Sequence, residues 1–182
     1  TRKLRINNRL AVFLSNSGLR RLNDAGMLPR LTVISSTSGG SIVAGYLAYK
    51  WPRLIFERNI ATNFEAEIES ELRLLAEKTM DIPSVITGFL PFISAGDQIV
   101  RVLHAQLFRD ALLSTLSASP PALLDTAQRA RPRPTFIINA TNLQTSELWQ
   151  FRANVMGGPV TGWTFTGNTK ISQAVAASAA YP

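Results

Sequence analysis

The segment Ser36-Thr37-Ser38-Gly39-Gly40 is the part of the chain best equipped for chemistry. A nucleophilic serine needs a sharp turn that lifts its oxygen clear of the backbone. Small neighbours permit the turn, and a helix starting just after it aims free N–H groups at a developing oxyanion. The pattern Gly-x-Ser-x-Gly between a strand and a helix meets these needs. The segment matches it with one change, Ser36 for the first glycine. Ser38 is therefore the candidate nucleophile and Gly39 N–H the adjacent oxyanion donor. Ser36 and Gly40 are the small residues of the elbow. Two competing readings are a Ser/Gly-rich turn without catalysis and a phosphate-binding turn.

Such a turn works only between a strand and a helix. Residues 31–35 (LTVIS) are a branched apolar run that predicts a buried strand. Residues 41–50 predict a helix. Gly40, Ala44 and Ala48 recur every four residues with Ser41 and Gly45 alongside, a slim face that sits close on a sheet. Upstream, 10–14 (LAVFL) reads as another buried strand, and 18–25 as a helix stopped by Gly26. Residues 53–79 and 97–116 read as helices, the first with Glu65, Glu67, Glu69 and Glu71 facing outward. Residues 118–134 are Pro-rich and read as a loop. Residues 135–141 (TFIINAT) predict a third buried strand, with 147–152 (ELWQFR) pairing back on it across Gln144-Thr145-Ser146. Residues 171–180 (ISQAVAASAA) predict a helix of small residues. The order of strand, turn and helix is that of an α/β protein.

Composition narrows the chemistry. The 182 residues are 46% hydrophobic and 17% charged, a globular balance with enough chain for one substantial core. With no cysteine, disulfides and thiolate metal sites are excluded, and a single histidine excludes a His-rich site. No Gly-rich phosphate loop with lysine occurs, so no cofactor is expected. The net charge of +7 gathers in residues 1–30, where Arg2, Lys3, Arg5, Arg9, Arg20, Arg21 and Arg30 face only Asp24. That end is either a solvated flank or a surface for anions. It lacks the interleaved aromatics of a single-strand nucleic-acid site, and no nucleic acid is expected. A Ser-His-Asp triad would need His104, but its place between Val100 and Phe108 on a predicted helix reads as packing. Residues 80–93 are apolar and broken by Pro and Gly, which suits core or a lid. Trp51, Trp149 and Trp163 read as packing residues. No stretch has the roughly 18–20 apolar residues of a membrane span.

Residues 19–48 (LRRLNDAGMLPRLTVISSTSGGSIVAGYLA) resemble the patatin-like phospholipase family, especially its bacterial members. So do 136–151 (FIINATNLQTSELWQF) and 171–182 (ISQAVAASAAYP), in the same order. The resemblance implies a three-layer α/β/α patatin-like domain with a mainly parallel sheet, of which residues 1–182 would be a single, truncated part. It implies a serine lipid acyl hydrolase of phospholipase A or lysophospholipase type. Its substrate would be a lipid or phospholipid, with peripheral membrane contact, in the cytoplasm or on a membrane, secretion remaining open. The family uses a Ser-Asp dyad: Ser38 would attack the ester carbonyl, and an aspartate would take its proton and later activate water on the acyl-enzyme. That aspartate lies in an Asp-Gly turn just beyond the 171–182 segment. The sequence stops at Pro182, and Asp97, Asp110 and Asp125 are poor substitutes. The family also has a Gly-Gly-Gly-x-Arg loop after its first strand. Here Ser15-Asn16-Ser17-Gly18-Leu19-Arg20 stands in that place, either its remnant or its loss, with Gly18 as a second candidate donor. The alternatives are a catalytically inactive protein of the same fold, a decayed copy or lipid-binding module, and an anion or nucleic-acid binder using the basic end.

Overall fold

A computed structural model describes residues 16–80, 95–117 and 133–179. The chain forms α1 (Asn16–Asp24), β1 (Val33–Ser36), α2 (Gly39–Lys50), β2 (Phe56–Glu57), β3 (Ile60–Ala61), α3 (Ser70–Met80) and α4 (Ala95–Leu103). It continues through β4 (Thr135–Asn142), β5 (Glu147–Phe151), β6 (Val155–Gly158), β7 (Gly162–Phe165) and α5 (Ile171–Ala179). The main sheet runs β1-β4-β5-β6-β7. β1 pairs with β4 in parallel, Ser36 opposite Ile138, and the three further pairings are antiparallel. The α/β class read from the sequence holds, with a mixed sheet whose parallel pairing, among the described residues, is that of β1 with β4.

Strand alternation sets the packing. Ile34, Phe136 and Ile138 point to one face and are buried there. Against that face lie α2 and α5. Trp51, just past α2, sets its ring edge-on to Phe136 at 6.3 Å. The slim helical face works as expected: Ser41, Ala44, Gly45 and Ala48 are all buried. A Cβ on Gly45 would stand 2.9 Å from Val175 Cγ2, so glycine is what lets α2 and α5 meet. On the opposite face Val33, Ser35, Ile137 and Asn139 are only half-buried.

Three sequence expectations change. Residues 53–79 are not one helix. A hairpin, β2–β3, comes first, turning at Arg58 and Asn59 with φ of 47° and 75°. Two asparagines hold it. Asn63 accepts from Ile55 N–H and donates to the Arg53 carbonyl, while Asn23 accepts from Ala61 N–H and donates to its carbonyl. Glu69 does not face outward: it is buried, 2.6 Å from the Arg20 guanidinium. Third, the 97–116 helix breaks. α4 passes into a π-helical turn at His104–Phe108 and ends at Arg109. The hairpin β6–β7 was not read from the sequence, its strands being short and glycine-rich. The strand expected at 10–14, the apolar stretch at 81–93 and the loop at 118–132 lie outside the described residues.

Candidate active site

Ser38 stands between β1 and α2 with φ 52° and ψ −138°. This backbone shape is nearly exclusive to glycine, and a residue with a side chain holds it at a cost on the order of 1–3 kcal/mol. The turn is strained because one residue must reverse the chain from the end of a strand into a helix packed on the same sheet. Ser38 occupies the N-cap of α2, where a serine usually folds its hydroxyl back onto the helix. Here it makes no such bond and is exposed. Gly39 and Gly40 take the first two helical positions, whose N–H groups precede any intrahelical acceptor. The helix dipole adds positive potential at the same point. A Cβ on Gly39 would meet nothing within 4 Å, so the space beside it is open.

Beneath the turn is a polar cluster. Ser38 N–H donates to Ser178 Oγ at 3.0 Å, and Ser178 donates to the Asn139 carbonyl at 2.6 Å. Ser41 Oγ lies 2.8 Å from Ser178 Oγ and donates to Ser36 Oγ at 3.1 Å. Asn139 Nδ2 donates to Ser35 Oγ and to the Ser36 carbonyl, each at 2.8 Å. Gln150 Nε2 in turn donates to Asn139 Oδ1 at 3.1 Å. The backbone of the turn is thus tied to α5 and β4 by groups far away in sequence. Ser36, Ser41 and Ser178 are buried, where unpaired hydroxyls would be costly and paired ones hold a fixed geometry.

Of the sequence candidates, the structure brings together Ser36, Ser38, Gly39 and Gly40. Gly18 falls in the first turn of α1, half-buried, on the helix that precedes β1. His104 is elsewhere. Its Nε2 lies 3.4 Å from Asp110, which also binds Lys170 at 2.7 Å. Lys170 and Ser178 are separated by about 12 Å of helix rise, so this cluster sits at the far end of α5 from the turn. Lys170 holds the Asp110 carboxyl below the ordinary carboxylate value, first by hydrogen bonding and then by charge. A cleft of about 440 Å³, lined by Tyr49, Phe108, Arg109 and Arg133 among others, is also remote. It opens at the carboxyl end of α2, about 16 Å along the helix from Ser38.

Sequence reasoning missed Ser178, Ser41 and Asn139. Their signal was polarity out of place: an asparagine inside an apolar strand and serines on the small-residue faces of two helices. Trp163, read as packing, is half-exposed, with the Arg152 guanidinium 5.1 Å over its ring.

The family model for Patatin-like phospholipase matches residues 12–182. The chain belongs to the patatin-like phospholipase family. No curated protein and no solved structure matches it. Membership makes this patatin-like chain part of a family of lipid acyl hydrolases, and the strained turn at Ser38 lies within the matched residues. Among the described residues, no group of acidic residues and histidine is arranged to hold a metal ion.

Proposed function

We propose that this patatin-like chain hydrolyses acyl esters of lipids, phospholipids foremost, through a covalent acyl-enzyme on Ser38. The observation that carries the proposal is the backbone of Ser38, strained, exposed, and followed directly by a helix start. In the first step Ser38 Oγ attacks the ester carbonyl while a base removes its proton. The carbonyl oxygen becomes an oxyanion held by Gly39 N–H. Collapse expels the alcohol and leaves the acyl group on Ser38. Water, activated by the same base, then attacks the acyl-enzyme and frees the fatty acid.

We assign the base to an aspartate following Pro182 in the intact protein, giving a Ser-Asp dyad. Of the aspartates, the two whose side chains are described, Asp24 and Asp110, are engaged with Arg20 and Lys170. Labelling with a fluorophosphonate tests the assignment. The intact protein should react, and Ser38→Ala should abolish both labelling and ester hydrolysis. Labelling that survives the substitution would remove Ser38 from the site. The replacement of the family's Gly-Gly-Gly-x-Arg loop by Ser15 to Gly18 favours a second reading, an inactive lipid binder. That reading gains if the wild-type protein binds lipid yet never reacts with the probe.

A further inference from the structure

The carboxyl end of the parallel pair, where Ser38 lies, is also where β4 runs on past its partner. Ile138 is opposite Ser36, and Asn142 lies about 13 Å further along the strand. The β4–β5 and β6–β7 turns therefore project beyond Ser38. They expose Leu143 at 69% and Val160 at 75%. Behind the tips, strand register puts Leu148, Gln150 and Trp163 on one face, with Leu148 and Trp163 half-exposed.

This part of a basic protein is nearly free of charge. Between Pro134 and Thr169 the only charged side chains are Glu147 and Arg152, and neither is presented. Glu147 is buried and accepts from Val160 N–H at 2.6 Å, Thr161 N–H at 3.0 Å, and the Thr161 and Thr145 hydroxyls. A Cβ on Gly158 would enter that carboxylate's space, 2.5 Å from Oε2. Arg152 is half-buried between Gln150 and the Trp163 ring. Uncharged turns with exposed aliphatic tips, and a tryptophan just behind them, suit entry into the headgroup layer of a bilayer.

We propose that the paired turns carrying Leu143 and Val160 dock on an electrically neutral lipid surface and present Ser38 to it. The inference rests on the lipid-hydrolase reading for its purpose, but not for its binding step. Insertion of uncharged side chains survives high salt, unlike attraction through the basic residues.

The test uses the intact protein and phosphatidylcholine vesicles. Wild-type protein should bind them at low and high salt. Brominated lipid chains should quench its tryptophan emission, and Trp163→Phe should remove that quenching. The double variant Leu143→Asp with Val160→Asp should bind at least roughly tenfold more weakly. Its hydrolysis of a dissolved short-chain ester should be unchanged. Leu143→Trp should bind more tightly, a gain that misfolding would not produce. Vesicle binding equal to wild type in the double variant would overturn the docking role. So would a wild-type protein that self-associates through these turns, shown by sedimentation with and without the substitutions. If neither ester is hydrolysed but vesicle binding still responds to the substitutions, the hydrolase reading fails and the docking surface stands.

Discussion

Ser38 and Arg109 share almost one backbone shape, φ 52° and ψ −138° at the first, φ 48° and ψ −132° at the second. They lie near opposite ends of α2, and both are exposed. The difference between them is what the bend releases. At Arg109 the bend closes a helix: its N–H donates to the His104 carbonyl at 2.7 Å, filling an acceptor that the π turn leaves over. At Ser38 the bend opens a helix. Its own N–H is taken by Ser178, while the N–H groups of Gly39 and Gly40 are left ahead of any intrahelical partner. Strain is thus common to both, and only one of them pairs a hydroxyl with unfilled donors. Among the described residues, the other positive-φ positions with side chains, Arg58, Asn59 and Ser146, sit in hairpin turns where such geometry is routine.

The largest effect that separates the two sites is on turnover. Ser38→Ala keeps the strain and removes the hydroxyl proposed as nucleophile. Ester hydrolysis should fall on the order of 10⁴-fold or more, with the protein still folded. Ser38→Gly should be equally inactive yet melt higher than Ser38→Ala, because glycine takes the bend without penalty. Activity assays and thermal melts on both variants check this. Equal melting temperatures would mean that the bend stores no strain.

A smaller effect follows from the ties beneath the elbow. Ser178→Ala strips the acceptor from Ser38 N–H and the donor from the Asn139 carbonyl. Leaving such groups unpaired in a buried site costs about 1–3 kcal/mol. Because the lost bond fixes the backbone of the proposed nucleophile, kcat on a dissolved ester should drop while KM changes little. Arg109 has no counterpart to this cluster, so the corresponding bond there is backbone to backbone and beyond reach of a side-chain change. A Ser178→Ala protein with wild-type kcat would show that the cluster stabilises the sheet alone.

The strand, turn and helix were legible because their signals are local. Branched residues precede the turn, small ones make it, and glycine and alanine at four-residue spacing follow. The β4–β5 hairpin was legible for the same reason, with Asn139 opposite Gln150 in the pairing. What was not legible is what depends on distance in the chain. Ser178 is 140 positions from the residue whose N–H it accepts, and Asn139 is 103 from the carbonyl it donates to. No window of sequence contains both partners. Glu147 was likewise read only as a strand residue, because all its donors but the Thr145 hydroxyl come from the turn between β6 and β7.

That carboxylate gives the comparison a third turn, one held by charge. Ser146, with φ 57°, leads directly into Glu147. The carboxyl is held below its ordinary value of 4.5, first by the Thr161 hydroxyl, then by the Val160 and Thr161 amides and the Thr145 hydroxyl. A lowered folded value means that the stabilisation is full above pH 4.5 and is lost as pH falls through the lower one. Hydrogen exchange at Val160 and Thr161 should therefore quicken in acid, and Glu147→Gln should remove that acid dependence. The bend at Ser38, built from hydroxyls and amides, should show no such change over the same range.

The smallest effect is at Arg109, and its sign is the sharpest check on the comparison. Arg109→Gly keeps the N–H that closes the π turn and removes the Cβ that opposes the bend. Relief of strain on the order of 1–3 kcal/mol is partly offset by the greater freedom of glycine in the unfolded chain. A net gain of about 1 kcal/mol corresponds to a rise of about 2–4 °C in a chain of this size. Hydrolysis should not change, since Arg109 lies at the far end of α2 from Ser38 and donates nothing toward it. Strain that is only structural should be removable at no functional loss, whereas strain at Ser38 should not. If Arg109→Gly raised stability and also lowered ester hydrolysis, the two bends would be coupled through α2, and the elbow could no longer be treated as a self-contained site.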